Sequence, residues 1–374
     1  MAAAKCSDDD LIEFLKTNSQ TVAARHFGLN QRSIQRRAKR IALRGHSPEH
    51  DMTHTVPDGF KIKGVSSLYN KDGLLSAQWV KSSADDERRY QMMVDACEAL
   101  RDDLPQITIP VSRNHGADDL LNVYTITDFH LGMLSWGEET GEDYDTDIAE
   151  KLLIDWFSEA ISKSPDAKSC VFAQLGDFMH WDGMDAVTPA SKHLLDADTR
   201  FAKLVRVGIR VTAQVIEMLA AKYQSVYVLH AEGNHDPASS VWLRETFAFR
   251  YEHSKSITVE VRPDPYYCYE HGGVSLFWHH SHKHRIDGLD AVFVSKFREV
   301  FGRTKHSYAH TGHLHHRVLK ETSLMIVEQH RTLAAPDAYA SRGGWMSGRS
   351  STVITYHKQF GEVARLTISP EMLK

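Results

Sequence analysis

Aspartate, asparagine and histidine recur in short segments between residues 125 and 315, most of them directly after an apolar run. The five segments read Thr127-Asp128-Phe129-His130, Gly176-Asp177, Gly233-Asn234-His235-Asp236, His279-His280-Ser281-His282 and Gly312-His313-Leu314-His315. Such a mixture of oxygen and nitrogen ligands suits Mn, Fe or Zn better than Mg or Ca, which prefer oxygen alone. Two divalent cations about 3.5–4 Å apart can promote an in-line displacement at phosphorus. The residue types therefore predict a two-metal site that hydrolyses phosphate esters.

The elements that must position these residues are strands. Asp128 and His130 lie two residues apart after the apolar run 120–126, and the period of two along a strand puts both side chains on one face. Asp177 and Asn234 each follow a further run of this kind. Because an α/β sheet collects its site at the carboxyl ends of its strands, we expect the five segments to meet at one edge.

In this order, the segments Asp-x-His, Gly-Asp, Gly-Asn-His-Asp, His and Gly-His-x-His resemble those of the calcineurin-like metallophosphoesterase superfamily, over roughly the C-terminal two thirds of the chain. The run Asp128-Phe129-His130-Leu131-Gly132 is similar to the start of its nuclease branch, the Mre11 and SbcD type. The resemblance implies a four-layer αββα metallophosphoesterase sandwich of the α/β class.

The resemblance also implies the metal ligands, with Mn²⁺ as the expected cation and Fe, Zn or Mg as alternatives. The expected ligands are Asp128, His130, Asp177, Asn234, His280, His313 and His315. Asp128, His130 and His315 would hold the first cation, Asp177 would bridge, and the other three residues would hold the second.

Two further roles follow from the same resemblance. His235 would hydrogen-bond the scissile phosphate and help the leaving oxygen depart, and Asp236 would orient His235. In the fourth segment, Ser281 stands where the superfamily has glycine after its histidine. His280 is the expected ligand there, and His279 remains an alternative.

The composition is that of an ordinary globular protein. The chain has 374 residues, 42% hydrophobic and 25% charged, a length that favours two or three domains. A net charge of −5 excludes a global basic field, so nucleic-acid contact would need a local patch. The four scattered cysteines are typical of free thiols in a reducing compartment. Without a signal-peptide core or a long apolar run, the pattern predicts a cytoplasmic protein with no membrane partner.

A small all-α domain is predicted over residues 7–45. Residues 9–15 and 21–27 form short helices, residues 28–30 a turn, and residues 33–41 a basic third helix, which together resemble a helix-turn-helix whose third helix lies in the major groove. The side chains expected to contact DNA are Arg32, Arg36, Arg37, Lys39 and Arg40. The alternative is a three-helix bundle whose charged face is only solvated. A helix-turn-helix before such an enzyme also resembles phage-encoded phosphoesterases, which implies a host bacterial cytoplasm.

The rest of the chain divides into three further segments. Polar, turn-rich residues 46–63 predict a linker, residues 64–116 a hairpin around Asp72-Gly73 and a connecting helix over 84–104, and residues 117–374 the metallophosphoesterase domain. Within that domain, helices are predicted at 148–161, 201–223, 241–253 and 291–301, and strands at 257–261, 352–356 and 363–368.

Taken together, these patterns predict a metal-dependent nuclease that hydrolyses phosphodiester bonds of DNA. A phosphomonoesterase or a phosphodiesterase of (cyclic) nucleotides is an alternative, in which the first domain only recruits the enzyme or makes it dimerise. A non-catalytic DNA-binding regulator is a further alternative, although its site should have lost at least one of the expected ligands.

Overall fold

The computed structural model describes residues 6–43, 60–70, 75–84, 91 and 116–373. The chain divides into two compact units, Met1–Pro105 and Gln106–Lys374. No helix within the described ranges is both long and apolar enough to cross a bilayer.

Three short helices form a bundle in the first unit. They are α1 (Asp8–Leu15), α2 (Gln20–His26) and α3 (Gln31–Leu43). Ser7 and Asp10 form a capping box on α1, and Ser19 caps α2 by accepting a bond from the Val22 amide. The side chains buried between the helices are Cys6, Leu11, Ala23, Ala24, Ile34 and Ile41. The predicted bundle is therefore present, with one apolar core.

The predicted hairpin is present and longer than expected. Strands β1 (Phe60–Tyr69) and β2 (Leu75–Ala84) pair antiparallel. The predicted linker over 46–63 is therefore wrong in its last residues, which belong to β1, where the alternation Phe60-Lys61-Ile62-Lys63 is itself a strand pattern. Of the predicted helix over 84–104, Ala84 ends β2, and the other residues except Gln91 lie outside the described ranges.

The second unit contains two sheets. The six-stranded sheet consists of β3 (Ala117–Ile126), β4 (Ala167–Gln174), β5 (Ser225–His230), β6 (Ile257–Val259), β12 (Ser351–His357) and β13 (Gly361–Ile368), in the order β13-β12-β3-β4-β5-β6. The five-stranded sheet consists of β7 (Tyr267–His271), β8 (Val274–Trp278), β9 (His306–Thr311), β10 (Val318–Glu321) and β11 (Ile326–Gln329), in the order β10-β11-β9-β8-β7. Strands β3 to β6 are parallel, as are β8, β9 and β11.

The helices of the second unit lie in the connections between these strands. They are α4 (Gly137–Thr140), α5 (Thr146–Lys163), α6 (Phe201–Lys222), α7 (Pro237–Arg250), α8 (Leu289–Lys296), α9 (Arg298–Arg303) and α10 (Ala338–Gly343), followed by a 3₁₀ turn at Pro370–Met372.

The two sheets pack face to face and carry helices on their outer faces. Leu121 and Val123 of β3 point into a core shared with Leu276 and Trp278 of β8. The intervening Tyr124 points the other way, towards α5, as the period of two requires. On the opposite outer face, Phe277 of β8 packs against Leu289 and Phe293 of α8. The result is the four-layer αββα arrangement that the resemblance implied.

Helix boundaries differ from the predictions where local chemistry was not considered. Helix α7 begins at Pro237, before the predicted 241, because proline is favoured in a first helical turn. The predicted helix 291–301 is two helices, α8 and α9, separated at Phe297, whose backbone leaves the helical region. Strand β6 ends at Val259, before the predicted 261.

Candidate metal centre

The five polar segments meet at one edge of the sandwich because the strands before them end there. Neighbouring strands β3, β4 and β5 are parallel in one sheet, and β8 and β9 are parallel in the other. Asp128 Oδ1 lies 3.3 Å from His315 Nε2 and 3.9 Å from His280 Nε2. Residues that are more than 150 positions apart in the chain thus become neighbours.

Six of the seven expected ligands fall into two groups. In each group the potential ligand atoms lie within 4.8 Å of one another; the groups are Asp128, His130 and His315, and Asp177, His280 and His313. In the second group, His280 Nε2 lies 3.1 Å from Asp177 Oδ2. The first group is the set expected to hold the first cation.

Asn234, the seventh expected ligand, follows β5 in the loop beside Asp177. Its Oδ1 atom is buried and accepts no hydrogen bond within the described part of the chain. Asp128 Oδ1 is also buried without a hydrogen-bond donor among the described residues. Because buried oxygen atoms are normally paired, these two atoms fit the role of metal ligands.

The backbone that carries these ligands is strained. The ligands with a positive φ are Asp128 (51°), His130 (48°), Asp177 (51°), His313 (78°) and His315 (57°). Residues with a Cβ seldom adopt this conformation, which costs on the order of 1–3 kcal/mol each and concentrates at functional sites. Hydrogen bonds between the loops hold it: Asp128 N donates to Gly176 O at 3.1 Å, and His130 N donates to Asp177 O at 3.0 Å.

Three motif glycines allow the loops to approach one another. A Cβ on Gly312 would overlap the Thr127 hydroxyl and come 2.7 Å from Asp128 Oδ2. A Cβ on Gly233 would overlap the Asp177 carboxylate, and one on Gly176 would come 2.7 Å from the His280 ring. Each glycine therefore leaves space for a ligand from another loop.

The fourth segment contributes His280. Its Nδ1–H donates to the Leu175 carbonyl at 2.7 Å, which leaves Nε2 facing Asp177. The ring of His279 instead stacks on Tyr266 at 4.3 Å, and its Nδ1 accepts a bond from the Ser281 amide. Ser281 has a φ of 84°, the conformation that glycine favours at this motif position. The structure thus places His280, and not His279, among the other expected ligands.

His235 is oriented by a different group from the one expected. Its Nδ1–H donates to the backbone carbonyl of His180 at 2.9 Å, and its amide donates to Asp177 Oδ1 at 2.8 Å. The ring of His180 stacks beside His235, with centroids 5.6 Å apart. Burial, reinforced by the neighbouring His235, lowers the pKa of His180 to about 3, so that ring is neutral.

Asp236 has a structural role in place of the predicted contact with the His235 ring. Its carboxylate accepts backbone N–H groups at 2.8–3.1 Å from Asp177, Phe178, Met179 and Gly233. The buried carboxylate thereby joins the loop after β4 to the loop after β5. The expectation that Asp236 orients the imidazole directly is corrected, because all four bonds join it to the backbone.

The charges of the centre stabilise one another. Burial alone would raise the pKa of Asp128, but His315 and His280 outweigh it and hold that pKa below its usual range. Burial would lower the pKa of His280, but Asp177 and Asp128 raise it to about 10. The buried carboxylates thus favour a positive charge on the imidazoles that face them.

Some residues from distant parts of the chain hold the loops of the centre in place, and the sequence pattern does not indicate them. Thr332 Oγ1 donates to the Asp128 carbonyl at 2.5 Å. Asp182 accepts bonds from the Ala238 and Ser239 amides at the start of α7. A capping role for Asp182 has no local signal, because its helix begins more than 50 residues later.

Another buried cluster has side chains of the kinds that bind metals, but its role is to join the two sheets. His310, Glu328 and His330 lie close together. The two imidazoles bond to each other at 2.9 Å, and Glu328 forms paired bonds of 2.7 and 2.8 Å with Arg365. Because Glu328 is already neutralised by Arg365, this cluster is a structural polar network.

In the first unit, the cationic side chains of α3 differ in their surroundings. Arg32, Arg36 and Lys39 are exposed. Arg37 bonds to Asp8 at 2.5 Å and to the Cys6 carbonyl at 3.2 Å, so it joins α3 to the start of α1. Arg40 also pairs with Asp8, at 2.7 Å.

No protein-family model and no curated protein matches the chain. Similar solved structures include a predicted phosphoesterase from Streptococcus pneumoniae (10% identity, TM-score 0.29, covering 68% of this chain and 99% of that one). They also include an archaeal phosphodiesterase (12%, 0.35, 66% and 99%) and Vps29 complexed with Zn²⁺ from Entamoeba histolytica (11%, 0.28, 67% and 99%). Likeness at this level carries no argument, so fold and function must be argued from the residues of the chain itself.

Proposed function

We propose that the protein is a metal-dependent phosphoesterase that hydrolyses phosphodiester bonds, with DNA as its substrate. The observation that carries this proposal is the pair of ligand groups, Asp128, His130 and His315 beside Asp177, His280 and His313. Their mixture of carboxylates and imidazoles suits Mn²⁺, Fe or Zn. The similarity of the segment after β3 to the nuclease branch of the calcineurin-like superfamily supports a diester substrate.

The residues present fit two cations. Asp128, His130 and His315 would hold one, and His280, His313 and Asn234 the other, with Asp177 between them. The fit rests on the Oδ1 atom of Asn234, which is buried and accepts no hydrogen bond among the described residues, and on the buried Oδ1 atom of Asp128, which faces the imidazoles of His315 and His280. When bound, such cations activate water and offset the charge that develops on the phosphoryl oxygens.

His235 supplies the proton. Because its Nδ1–H is bonded to the His180 carbonyl, Nε2 is the nitrogen left to contact substrate. For this role both ring nitrogens must carry a proton: Nε2–H would hydrogen-bond a phosphoryl oxygen and pass its proton to the leaving oxygen, and the ring would remain as the neutral Nδ1–H tautomer. The stacked His180 keeps the ring in this orientation.

The test of the proposal compares wild type with Asp177→Asn in Mn²⁺-dependent hydrolysis of bis-p-nitrophenyl phosphate, p-nitrophenyl phosphate and labelled single- and double-stranded DNA. We expect wild type to cleave the diester and DNA, and the variant to lose at least about 100-fold of both rates because it weakens metal binding. Turnover of the monoester alone would indicate a phosphatase. A protein that binds metal and hydrolyses none of these substrates would indicate a binding protein.

We further propose that α3 binds DNA through Arg32, Arg36 and Lys39, as the recognition helix of a helix-turn-helix. The exposure of these three side chains supports this role, whereas Arg37 and Arg40 are both paired with Asp8. We expect Arg36→Ala to weaken duplex binding several-fold without changing stability, and Arg37→Ala to destabilise the first unit by about 1–2 kcal/mol. Fluorescence anisotropy with a labelled duplex and thermal unfolding measure the two effects. Unchanged duplex binding by Arg36→Ala would favour a merely solvated charged face.

A further inference from the structure

The segment between β11 and β12 is attached to the metal centre at both ends. Near its start, Thr332 Oγ1 donates to the carbonyl of Asp128 at 2.5 Å. Near its end, Ser347 Oγ donates to the carbonyl of His315 at 3.0 Å. Both acceptors belong to expected metal ligands, so both ends of the segment lie beside the metal centre.

Two aromatic rings on this segment face solvent. Tyr339 is 70% exposed and Trp345 is 59% exposed, and their ring centroids lie 5.0 Å apart. The Trp345 ring lies against the backbone of Gly343, where a Cβ would come 2.7 Å from its ring atoms. Glycine and Tyr339 thus hold the indole in place while it stays accessible, so little conformational entropy is lost when a flat ligand stacks on it.

The segment is also braced against the loop that follows His130. Ser341 Oγ donates to the Glu139 carbonyl at 2.9 Å, and Arg342 pairs with the Glu139 carboxylate at 2.7 Å. Trp136, which directly precedes α4, is 60% exposed. Three exposed aromatic side chains therefore lie on two loops that flank the metal centre.

A polar pocket with two arginines adjoins the end of the same segment. It is lined by Arg317, Arg331, His330, Ser350, Ser351, Thr352 and Thr367, together with Glu328, which pairs with both Arg317 and Arg365. The Arg331 guanidinium lies against Gly348, with Nη1 3.1 Å from the position of a Cβ there. Gly348 directly follows Ser347, which bonds to the His315 carbonyl. The Arg331 guanidinium therefore contacts the residue next to the one that is joined to the metal centre.

Aromatic platforms beside cationic and hydroxyl groups are the features that bind single-stranded nucleic acid. Bases stack on the rings whatever their sequence, while the groove receives the phosphates. A duplex hides its base faces, and a small diester has no second phosphate or base to offer. The features of this surface therefore favour an unpaired strand as the occupant.

We propose that Trp345 and Tyr339 stack on unpaired bases of single-stranded DNA next to the scissile phosphate, and that Arg331 and its pocket receive a neighbouring phosphate. This inference rests on the proposed function, because it takes the scissile phosphate to lie at the metal centre. It names single-stranded DNA as the substrate class of that site.

The test compares Trp345→Leu, Trp345→Tyr and the control Phe360→Leu in the full-length, Mn²⁺-loaded protein. Phe360 is 66% exposed, but it lies in the turn after His357, at the end of β12 away from the centre. Binding of a labelled, phosphorothioate-linked oligothymidylate is followed by anisotropy, and hydrolysis of bis-p-nitrophenyl phosphate is measured in parallel. We expect Trp345→Leu to weaken oligonucleotide binding about tenfold, Trp345→Tyr and Phe360→Leu to bind near the wild-type level, and the Mn²⁺ content to be unchanged in all three.

The outcomes separate this inference from the proposed function. Diester hydrolysis by wild type with oligonucleotide binding that is absent, or unaffected by Trp345→Leu, would overturn the stacking surface alone. Binding that depends on an aromatic ring at position 345, in a protein that hydrolyses no phosphoester, would support the surface and overturn the proposed function. Equal losses in Trp345→Tyr and Trp345→Leu would also count against stacking.

Discussion

A single backbone carbonyl, that of His180, decides which nitrogen of His235 is available for chemistry. It accepts the Nδ1–H, so Nε2 is the atom that can transfer a proton. His180 lies in the loop after β4 and His235 in the loop after β5, and Asp236 joins those loops through backbone bonds. The position of the proposed proton donor is therefore determined by the backbone contacts of His180 and Asp236.

This arrangement predicts that the loss from His235→Ala depends on the leaving group. Cleavage of DNA releases an alkoxide that needs a proton, so kcat should fall by about 10²–10⁴-fold. p-Nitrophenolate leaves without a proton, so the loss with bis-p-nitrophenyl phosphate should be clearly smaller. Steady-state kinetics on both substrates, with metal content measured for each protein, make the comparison.

The matched control is His253→Ala, since His253 is a solvated histidine with a 94% exposed side chain. It should leave both rates unchanged. Equal losses of His235→Ala on the two substrates would argue against proton transfer to the leaving group and for a role in phosphate binding.

At the scale of elements, the loops after the strands depend on glycines that leave room for another loop. Gly312 follows β9, and a side chain there would displace Thr127 and Asp128, which follow β3 in the other sheet. At the site, the two sheets thus meet where the Gly312 backbone contacts the side chains of Thr127 and Asp128.

We therefore expect Gly312→Ala to reduce metal affinity at least tenfold and to destabilise the fold by about 1–3 kcal/mol through overpacking. Isothermal titration with Mn²⁺ and urea unfolding measure the two effects. Gly302→Ala is the control, because Gly302 lies in α9 with no atom within 4 Å of its Cβ position, and alanine in a helix is favoured by about 0.5–1 kcal/mol. Wild-type metal affinity in Gly312→Ala would show that the loops after β3 and β9 can move apart without weakening metal binding.

At the scale of the whole second unit, a buried polar network joins the two sheets. Glu328 of β11 pairs with Arg365 of β13, and His310 of β9 bonds to Tyr356 of β12 at 3.0 Å. Burial alone would raise the pKa of Glu328, but His330 and Arg365 outweigh it and lower that pKa to about 2. The carboxylate is therefore more acidic in the folded than in the unfolded chain.

A lowered pKa in the folded state means that Glu328 stabilises the protein above its unfolded pKa of 4.5, and that this contribution is lost as the pH falls towards 2. We expect Glu328→Gln to lower the free energy of unfolding by roughly 3 kcal/mol at pH 7, and to flatten the acid limb of the stability curve between those values. Urea unfolding across this pH range is the measurement.

Glu270→Gln is the matched control, because Glu270 pairs with Arg303 at the surface. It should cost at most about 1 kcal/mol. An equal loss in the free energy of unfolding for the two variants would mean that the buried pair of Glu328 and Arg365 stabilises the fold no more than a surface pair does.

The chemical groups of the site, their order and the type of element before each of them can be predicted from the sequence. Asp128, Asp177 and Asn234 follow apolar runs that are strands, because buried strands and the turns after them are recognisable from local composition. The helices α5 and α6 were predicted to within two residues of their bounds, because capping and helical period are local properties. The metal centre lies at the carboxyl ends of the strands, which is where an α/β sheet places its site.

How these groups face one another depends on the tertiary structure. The choice of His280 over His279, the orientation of His235 by His180, and the pairing of Glu328 with Arg365 each depend on contacts between distant segments. The same holds for the segment that carries Trp345, which a hydrogen bond from Ser347 joins to the His315 carbonyl. Local periodicity contains no information about such contacts, because they are determined by how segments that are distant in the chain pack together.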